Sequence, residues 1–546
     1  MSDAAAIPLS TDEATVETLI AAGVDKVFAL PGVHNDSLFD AFHGARDRLR
    51  VLHTRHEQTS AYMALGAAMA TSKPQVFSVV PGPGFLNAGA AMLTARTANA
   101  PVLGLIGQIP QRDIDRGHGH LHELHDQIGI ARHFSKYAER IRAAADAPRL
   151  VNEALAAATR GRKGPAVLEC AIDVWGRKSP VRLLPAFAEP EPAPVDFDAV
   201  ERAAKLIGAA KRPLIVVGGG ASDAAAAVTA LAEMLEAPVV AYRRGAGIVS
   251  ARHRLAVNLP IGHRLWKETD LVIGVGTRLL IQQSQWGVDK ELKIVRIDVD
   301  PEEPERMFRP DVALVGDARL YAEALLDRLP AYNRKRDSRG DELAGHRGWL
   351  AERLSKLEPQ MAYLRAMRRA LPEDGVLVDE VTQLGFAARL AFPVYQPRKY
   401  LSPGHQDNLG WGYGTALGVK AALPDTPVLA TAGDGGLLYQ IGELATAAQH
   451  GLAVVVVVFD NGLFGNVKLI QRESFGSRFI ANELVNPDFA GVAESFGVAA
   501  YRASDADGLE TALNAAFARN EPALVHVRCG EMPSPWDMIL MPRVRG

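Results

Sequence analysis

The chain has 546 residues, 48% hydrophobic and 23% charged, with a formal net charge of -3. That length exceeds one hydrophobic core and asks for about three or four domains. The near-neutral balance, with no long single-sign run, argues against a nucleic-acid footprint, and the most apolar run, "LAVVVVVF", falls well short of the roughly 20 residues a membrane span takes.

The opening stretch, "MSDAAAIPLSTDEA", carries acids where a secretion signal needs positive charge. The two cysteines, Cys170 and Cys529, form neither a metal-spaced cluster nor a disulfide framework. A cytoplasmic location is expected. In the first third of the chain, "KVFAL", "QVFSVV" and "PVLGLIG" read as strands, with "TSAYMALGAAMAT" and "LNAGAAMLTARTA" as helices between them. A linker rich in proline and acid follows at "LLPAFAEPEPAPVDFD". In the middle, "RPLIVVGGG", "APVVAY", "DLVIGVG" and "KIVRIDVD" alternate with helices such as "DAAAAVTALAEML". A second linker is expected at the polar stretch "LPAYNRKRDSRGDELAGHRG". In the last third, "VLVDE", "PVLATAGDGG", "AVVVVVFDN" and "ALVHVRCG" are the strands.

Continuous apolar strands alternating with helices predict an α/β fold of three doubly wound parallel-sheet domains, over 1–182, 196–330 and 350–546. In such sheets ligands bind beyond the carboxyl ends of the strands. The segments "PGVHND", "RHEQ", "PGPGFLN", "AGDGG" and "FDNGLFGN" are expected there.

In "AGDGG", Asp434 stands between Gly433 and the pair Gly435 and Gly436, where one strand ends and a helix, "LLYQIGELATAAQH", is expected. The next strand ends at Asp460 and Asn461. Adjacent parallel strands bring Asp434 and Asn461 to one edge. A carboxylate and an amide carbonyl are hard oxygen donors, suited to Mg²⁺ or Ca²⁺ rather than zinc. Two side chains are too few for a full shell, and Mg²⁺ commonly completes it with water, carbonyls and phosphates. Glycine amides at a helix start offer a place for such a phosphate. The Gly-Asp-Gly tripeptide alone also fits an N-capped turn; Asn461 after the next strand favours the diphosphate–metal site.

This combination resembles the thiamine diphosphate motif, Gly-Asp-Gly followed about 25 residues later by Asn. "TRHEQTSAYMALGAAMA", "VVPGPGFLNAGAAM", "APVLGLIGQIP" and "DNLGWGYGTALGVKAALPDTPVL" resemble counterparts in the acetolactate synthase and benzaldehyde lyase branch of those enzymes. The resemblance covers nearly the whole chain. It implies pyrimidine-binding, central and diphosphate-binding domains, in that order, with thiamine diphosphate and Mg²⁺ as cofactors. Asp434, Asn461 and the carbonyl of Leu463 would hold the metal. Gly433, Gly435, Gly436, Val381, Thr382, Asp407, Phe464 and Gly465 would surround the cofactor. Leu409 would wedge under it, although an ordinary core leucine fits that position equally well. Glu57 matches the glutamate that bonds the aminopyrimidine ring and so drives removal of the thiazolium C2 proton, a task that asks for a proton-sharing carboxyl in an apolar pocket. Pro83 and Asn87 match the loop facing that ring, and Gln108 the family's glutamine near the reactive ring. The family joins Glu57 to Asp434 across two subunits, so a homodimer is the minimum expected unit, with a homotetramer next.

Other residues distinguish this chain. His34, in "LPGVHND", stands where lyases of the branch carry a histidine facing the reacting carbon, beside Val33; a loop histidine capping the following helix is the alternative. "RGHGHLHELHDQ" has metal-like histidine spacing. With a metal already expected at Asp434, it is read instead as a substrate-facing loop in which His122 acts and His118, His120 and His125 are solvated. His405 and Asn466 are further candidate substrate contacts. The middle third lacks the arginine-containing stretch of FAD-binding relatives, and its glycine turn is not a full dinucleotide fingerprint. This argues against FAD. The tail, "EMPSPWDMILMPRVRG", suits either a lid or a segment docked on the chain's own surface.

The expected activity is a decarboxylase/carboligase acting on a 2-keto acid or 2-hydroxy ketone, with small carbonyl compounds as its partners. Alternatives are a lyase or hydrolase of a ketone or diketone, an FAD-dependent oxidase, a non-catalytic binding protein of this fold, and a plain Rossmann dehydrogenase.

Overall fold

The structure, a computed structural model, describes residues 6–185 and 187–546. The first residues of the opening stretch and Ala186 of the first linker lie outside the described residues.

Three six-stranded parallel sheets follow one another along the chain. The first has the order Arg50–His53, Lys26–Ala29, Gln75–Val79, Val102–Gln108, Ala166–Ala171, Tyr137–Ile141. The second runs Ala256–Asn258, Val239–Ala241, Pro213–Val217, Leu271–Val275, Lys293–Asp298, Val312–Val315. The third runs Tyr400–Leu401, Val376–Val378, Val428–Gly433, Val454–Asp460, Ala523–Arg528, Ala499–Ala503. The α/β reading is correct. The central strands are apolar throughout because helices cover both faces; every residue of Val454–Asp460 is buried. Of the strands that sequence patterning missed, Ala166–Ala171 is interior, while Arg50–His53, Tyr137–Ile141 and Ala499–Ala503 lie at sheet edges. There, half-buried polar residues break the apolar run.

Two sequence expectations change. The segment after Asp434 is not one helix but a short helix Asp434–Leu437, a 3-10 turn Ile441–Glu443 and a helix Leu444–His450. The break has a cause in long-range bonds: the Gln440 side chain accepts the Gly414 N–H, and the buried Glu443 accepts the Arg55 N–H at 3.1 Å. The second linker is helical over its latter half, as part of Gly340–Leu354, because Leu343 and Leu350 bury one stripe of an otherwise polar helix.

The first and third sheets share a core. Helix Glu57–Thr71 packs against helix Gly412–Ala422, and residues from Ala61 to Met69 join Trp411 to Val419 in one apolar cluster. The backbones nearly touch. A Cβ on Gly66 would lie 2.0 Å from the Thr415 carbonyl oxygen, and one on Gly418 1.9 Å from that of Met63. This contact places the start of the Glu57 helix against the loop that follows Asp434: Gln58 Nε2 donates to the Tyr439 carbonyl at 2.9 Å. No helix among the described residues is long and apolar enough to cross a membrane.

Candidate functional site

Strands Val428–Gly433 and Val454–Asp460 are neighbours, with Gly433 opposite Phe459. This register sets Asp434 and Asp460 side by side at the carboxyl edge, with Asn461 next in the chain. Asp434 is buried. Its Oδ1 accepts the Gly435 N–H at 2.8 Å, and its Oδ2 accepts the Gly462 N–H and the Asn486 Nδ2–H, each at 2.8 Å. The same Asn486 nitrogen donates to Asp460 Oδ1 at 2.8 Å, and His526 Nε2 lies 2.9 Å from Asp460 Oδ2. Burial, with Asp460 as a further cause, raises the Asp434 carboxyl above the usual range. Asp460 is held below its ordinary value; burial acts against this, but hydrogen bonds from His526, Asn486 and the Gly462 amide prevail. Sequence reasoning missed Asp460, His526 and Asn486. Asp460 adjoins Asn461 and could have been suspected, but Asn486 comes from a distant loop with no local signal.

One cleft is lined by Val381, Thr382, Gln383, Leu409, Gly433, Asp434, Gly435, Gly436, Asn461, Leu463, Phe464, Gly465, Asn466 and Met532, among others. It gathers all three expected metal ligands and every expected diphosphate-side residue except Asp407. The residues fit a cation and a phosphate ester. Two adjacent carboxylates share one amide donor in a buried place, an excess of negative charge that asks for a cation. Asp434 Oδ1 has one hydrogen-bond partner, which leaves it a free lone pair. Asn461 Oδ1 accepts the Leu463 N–H at 3.1 Å and so faces its own turn. Next to these, Gly435 lets the Phe464 ring approach closely; a Cβ there would stand 2.5 Å from it. Asp407 stands apart. Its carboxylate meets Arg243 at 2.6 Å and Arg389 at 2.9 Å, tying the second and third parts together.

Under the cleft lies Glu380, absent from the sequence reasoning. It is fully buried and forms no ion pair among the described residues. Its oxygens accept the Val381 and Gly412 N–H groups, each at 3.2 Å, and a Cβ on Gly436 would stand 3.4 Å from its carboxyl carbon. Burial outweighs the two amide bonds and pushes this carboxyl up to about 8 from the ordinary 4.5. An acid raised on folding stabilises the folded chain fully below its unfolded value, and that contribution is lost as pH rises through the folded value. The cofactor-free protein is therefore expected to lose thermal stability between about pH 4.5 and 8, by an amount on the order of a few kcal/mol. Glu380→Gln should flatten this slope. Parallel melting-temperature profiles for wild type and variant would refute the assignment.

The second group of residues sits on the first sheet. Glu57 opens its helix. Its Oε2 accepts the Asn87 Nδ2–H at 3.0 Å, and its Oε1 lies 3.4 Å from where a Cβ on Gly84 would sit, in the turn Pro83–Asn87. His34 is buried in the turn Val33–Asn35, while Val33 itself is exposed. The His34 and His122 rings stack, with centroids 5.1 Å apart and planes inclined by 24°. Nδ1 of each is buried without a partner. Burial first, and the neighbouring His122 second, lower the His34 value below the ordinary imidazole range. The fold thus brings together two histidines 88 residues apart in the chain. Gln108 is buried and turned away: its Nε2 donates to Glu169 Oε2 at 3.3 Å, in a group with Gln127 and Arg140.

His405 faces the middle part of the chain, with Nδ1 2.9 Å from Arg278. Burial and the nearby arginines 278 and 243 lower its value. Asn466 lines the cleft, and its Oδ1 accepts the Trp536 indole N–H at 2.7 Å. The tail resolves both alternatives at once. Met532 borders the cleft and Trp536 packs on Phe386, while Val544 and Arg545 bond to the Trp286 carbonyl of the chain's own middle part.

Comparison with known proteins gives matches along the chain. The N-terminal TPP binding domain of thiamine pyrophosphate enzymes matches residues 9–130, their central domain 200–325 and their C-terminal TPP binding domain 380–527. A probable 2-ketoarginine decarboxylase of Pseudomonas aeruginosa is 31% identical over 531 residues, 95% of this chain and 94% of its own length. The acetolactate synthase isozyme 3 large subunit of Escherichia coli is 31% identical, covering 93% of this chain and 92% of its own. A probable acetolactate synthase large subunit of Methanocaldococcus jannaschii is 30% identical, covering 94% and 91%.

Proposed function

Since the chain belongs to the thiamine pyrophosphate enzymes, in the acetolactate synthase family, we propose that it uses thiamine diphosphate with Mg²⁺ to decarboxylate a 2-keto acid, and to join the resulting fragment to a second carbonyl or release it as an aldehyde. The observation that carries the metal half of this reading is the buried Asp434–Asp460 pair beside Asn461, a hard-oxygen site with an unbalanced charge. When bound, thiamine diphosphate supplies the nucleophilic carbon and electron sink that loss of CO₂ from a keto acid needs.

The chain's own residues divide the remaining work. Asp434 and Asn461, with the Leu463 carbonyl, would hold Mg²⁺. Gly435 and Gly436, which line the same cleft, would offer backbone N–H groups to the diphosphate. Glu57 would hold and pass a proton at its Oε atoms, with Asn87 fixing the carboxyl. His34 and His122 would move protons to and from the substrate, since a neutral imidazole accepts a proton near pH 7. Leu409, Phe464 and Met532 exclude water, and Asn466, held by Trp536, presents a polar group toward the substrate.

Two copies of the chain make the complete site in this reading. Every residue that lines the Asp434 cleft comes from 381–532, and Glu57 is not among them. The exposed Leu86, Leu93 and Tyr439 lie near the two groups and suit a homodimer interface, with a homotetramer beyond it. Small carbonyl compounds are the partners proposed, in the cytoplasm.

The test is a screen of 2-keto acids with thiamine diphosphate and Mg²⁺, reading CO₂ release and products by mass spectrometry. CO₂ release with an aldehyde or hydroxyketone product is expected; cleavage of diketones without CO₂ would replace this reading with a lyase or hydrolase. His34→Ala should lower turnover by about 10²-fold and shift the ratio of aldehyde to ligation product. Unchanged rate and ratio would make His34 structural.

A further inference from the structure

The histidine-rich loop does more than carry His122. Its residues His118 and His120 are not simply solvated. His118 Nδ1 lies 3.3 Å from Asp113 Oδ1, and His120 Nε2 lies 3.2 Å from Asp113 Oδ2. One ligand atom from each residue falls within 4.8 Å of the others. We propose that Asp113, His118 and His120 form a second metal site, selective for Zn²⁺ or a similar borderline divalent ion, that clasps the loop carrying His122.

The donor set points to that class of ion. Two imidazole nitrogens and one carboxylate oxygen suit zinc, whereas Mg²⁺ and Ca²⁺ prefer oxygen shells. The spacing agrees as well. Zinc bonds of roughly 2.0–2.1 Å set the ligand atoms of a tetrahedron about 3.3 Å apart, close to the two contacts made by Asp113. Rotation of the exposed His118 ring, with a smaller adjustment of the half-buried His120, would bring the third edge in.

The loop is built to present these groups. Asp113 is anchored where strand Val102–Gln108 runs into a 3-10 turn, and its N–H donates to the Pro110 carbonyl at 2.9 Å. The glycines on either side of His118 have left-handed backbones, with φ of +68° at Gly117 and +78° at Gly119, which curl the two histidines back toward Asp113. Glu123 then fastens the curl. Its Oε1 accepts the N–H groups of Gly117 and His118, and its Oε2 those of Gly119 and His120, at 2.6–3.3 Å. Glu123 thus holds the loop backbone that positions both imidazoles, acting through the main chain rather than through the rings. Arg112 reaches Asp113 at 3.3 Å from a largely exposed position, where an entering dication can displace it. Two residues past His120, the His122 ring stacks on His34. An ion at this site therefore restrains one member of the proposed proton-transfer pair without touching it.

The full chain, loaded with thiamine diphosphate and saturating Mg²⁺, tests this by equilibrium dialysis against Zn²⁺, with bound metal counted by mass spectrometry. Wild type should retain one zinc per chain beyond the number held by His118→Ala/His120→Ala. Glu123→Gln should weaken that zinc by about 10–100-fold. His118→Gln/His120→Gln keeps hydrogen bonding to Asp113 without imidazole ligands; it should lose the same zinc while its zinc-free melting temperature stays at the wild-type value. Zinc should raise the melting temperature of wild type alone. Equal zinc retention by wild type and the glutamine pair would overturn the site. Because the count needs no substrate, it stands apart from any failure of the carbonyl screen.

Discussion

Glu57→Gln is expected to lower turnover by about 10²–10⁴-fold, the range lost when a positioned acid–base group is removed. The substitution preserves size and retains an oxygen for the Asn87 Nδ2–H, so the turn Pro83–Asn87 should keep its form. It removes the ability to hold and return a proton. Thiamine diphosphate should still bind, because the metal and diphosphate residues lie on the other sheet. Rate and cofactor affinity, measured on the same preparation, separate the outcomes. A slow variant with near-normal affinity supports the proton role. Full activity with thiamine diphosphate and Mg²⁺ supplied would remove Glu57 from the chemistry.

Asp434→Asn is the second large effect. The Asp434 carboxylate receives three N–H groups and stands beside Asp460. An asparagine has one oxygen, so one of those donors must meet an amide NH₂ instead, leaving a buried donor unpaired at about 1–3 kcal/mol. The change also relieves the repulsion between two adjacent carboxylates, so the net change in cofactor-free stability should be small. Holoenzyme formation should suffer far more. Removing a metal's charged ligand should cost more than the roughly 10–100-fold typical of outer-shell partners. Titration of thiamine diphosphate at fixed Mg²⁺, followed by intrinsic fluorescence and by activity, reads this directly. Mg²⁺-dependent binding at wild-type strength would show that the metal sits elsewhere.

The two predictions rest on different kinds of legibility. The Asp434 site was readable because local sequence and topology coincide. An apolar run ends, glycines follow, and the next apolar run ends in Asp460–Asn461; parallel neighbours must then bring those ends together. Asn486 and Glu380 were not readable. Asn486 reaches Asp434 from 52 residues away, and Glu380 looks like any acid after a strand until its burial is seen. Gln108 shows the converse. It matches a family position, yet its side chain is turned toward the buried Glu169, which also meets Arg140 and Gln127. The histidine loop was legible only as composition. Which ring meets Asp113, which stacks on His34 and which remains in water depended on two left-handed glycines and a glutamate holding four amides.

By itself, the sequence determined the alternation of strands and helices, the three sheets and the cofactor. The first two follow from periodicity; the cofactor follows from the resemblance to thiamine diphosphate enzymes that the family match bears out. Tertiary structure decided which carboxylates are charged, which imidazoles are paired and where the helix after Asp434 breaks. Those outcomes depend on burial and on partners distant in the chain, since the cost of a polar group is set by what surrounds it and not by its neighbours in sequence.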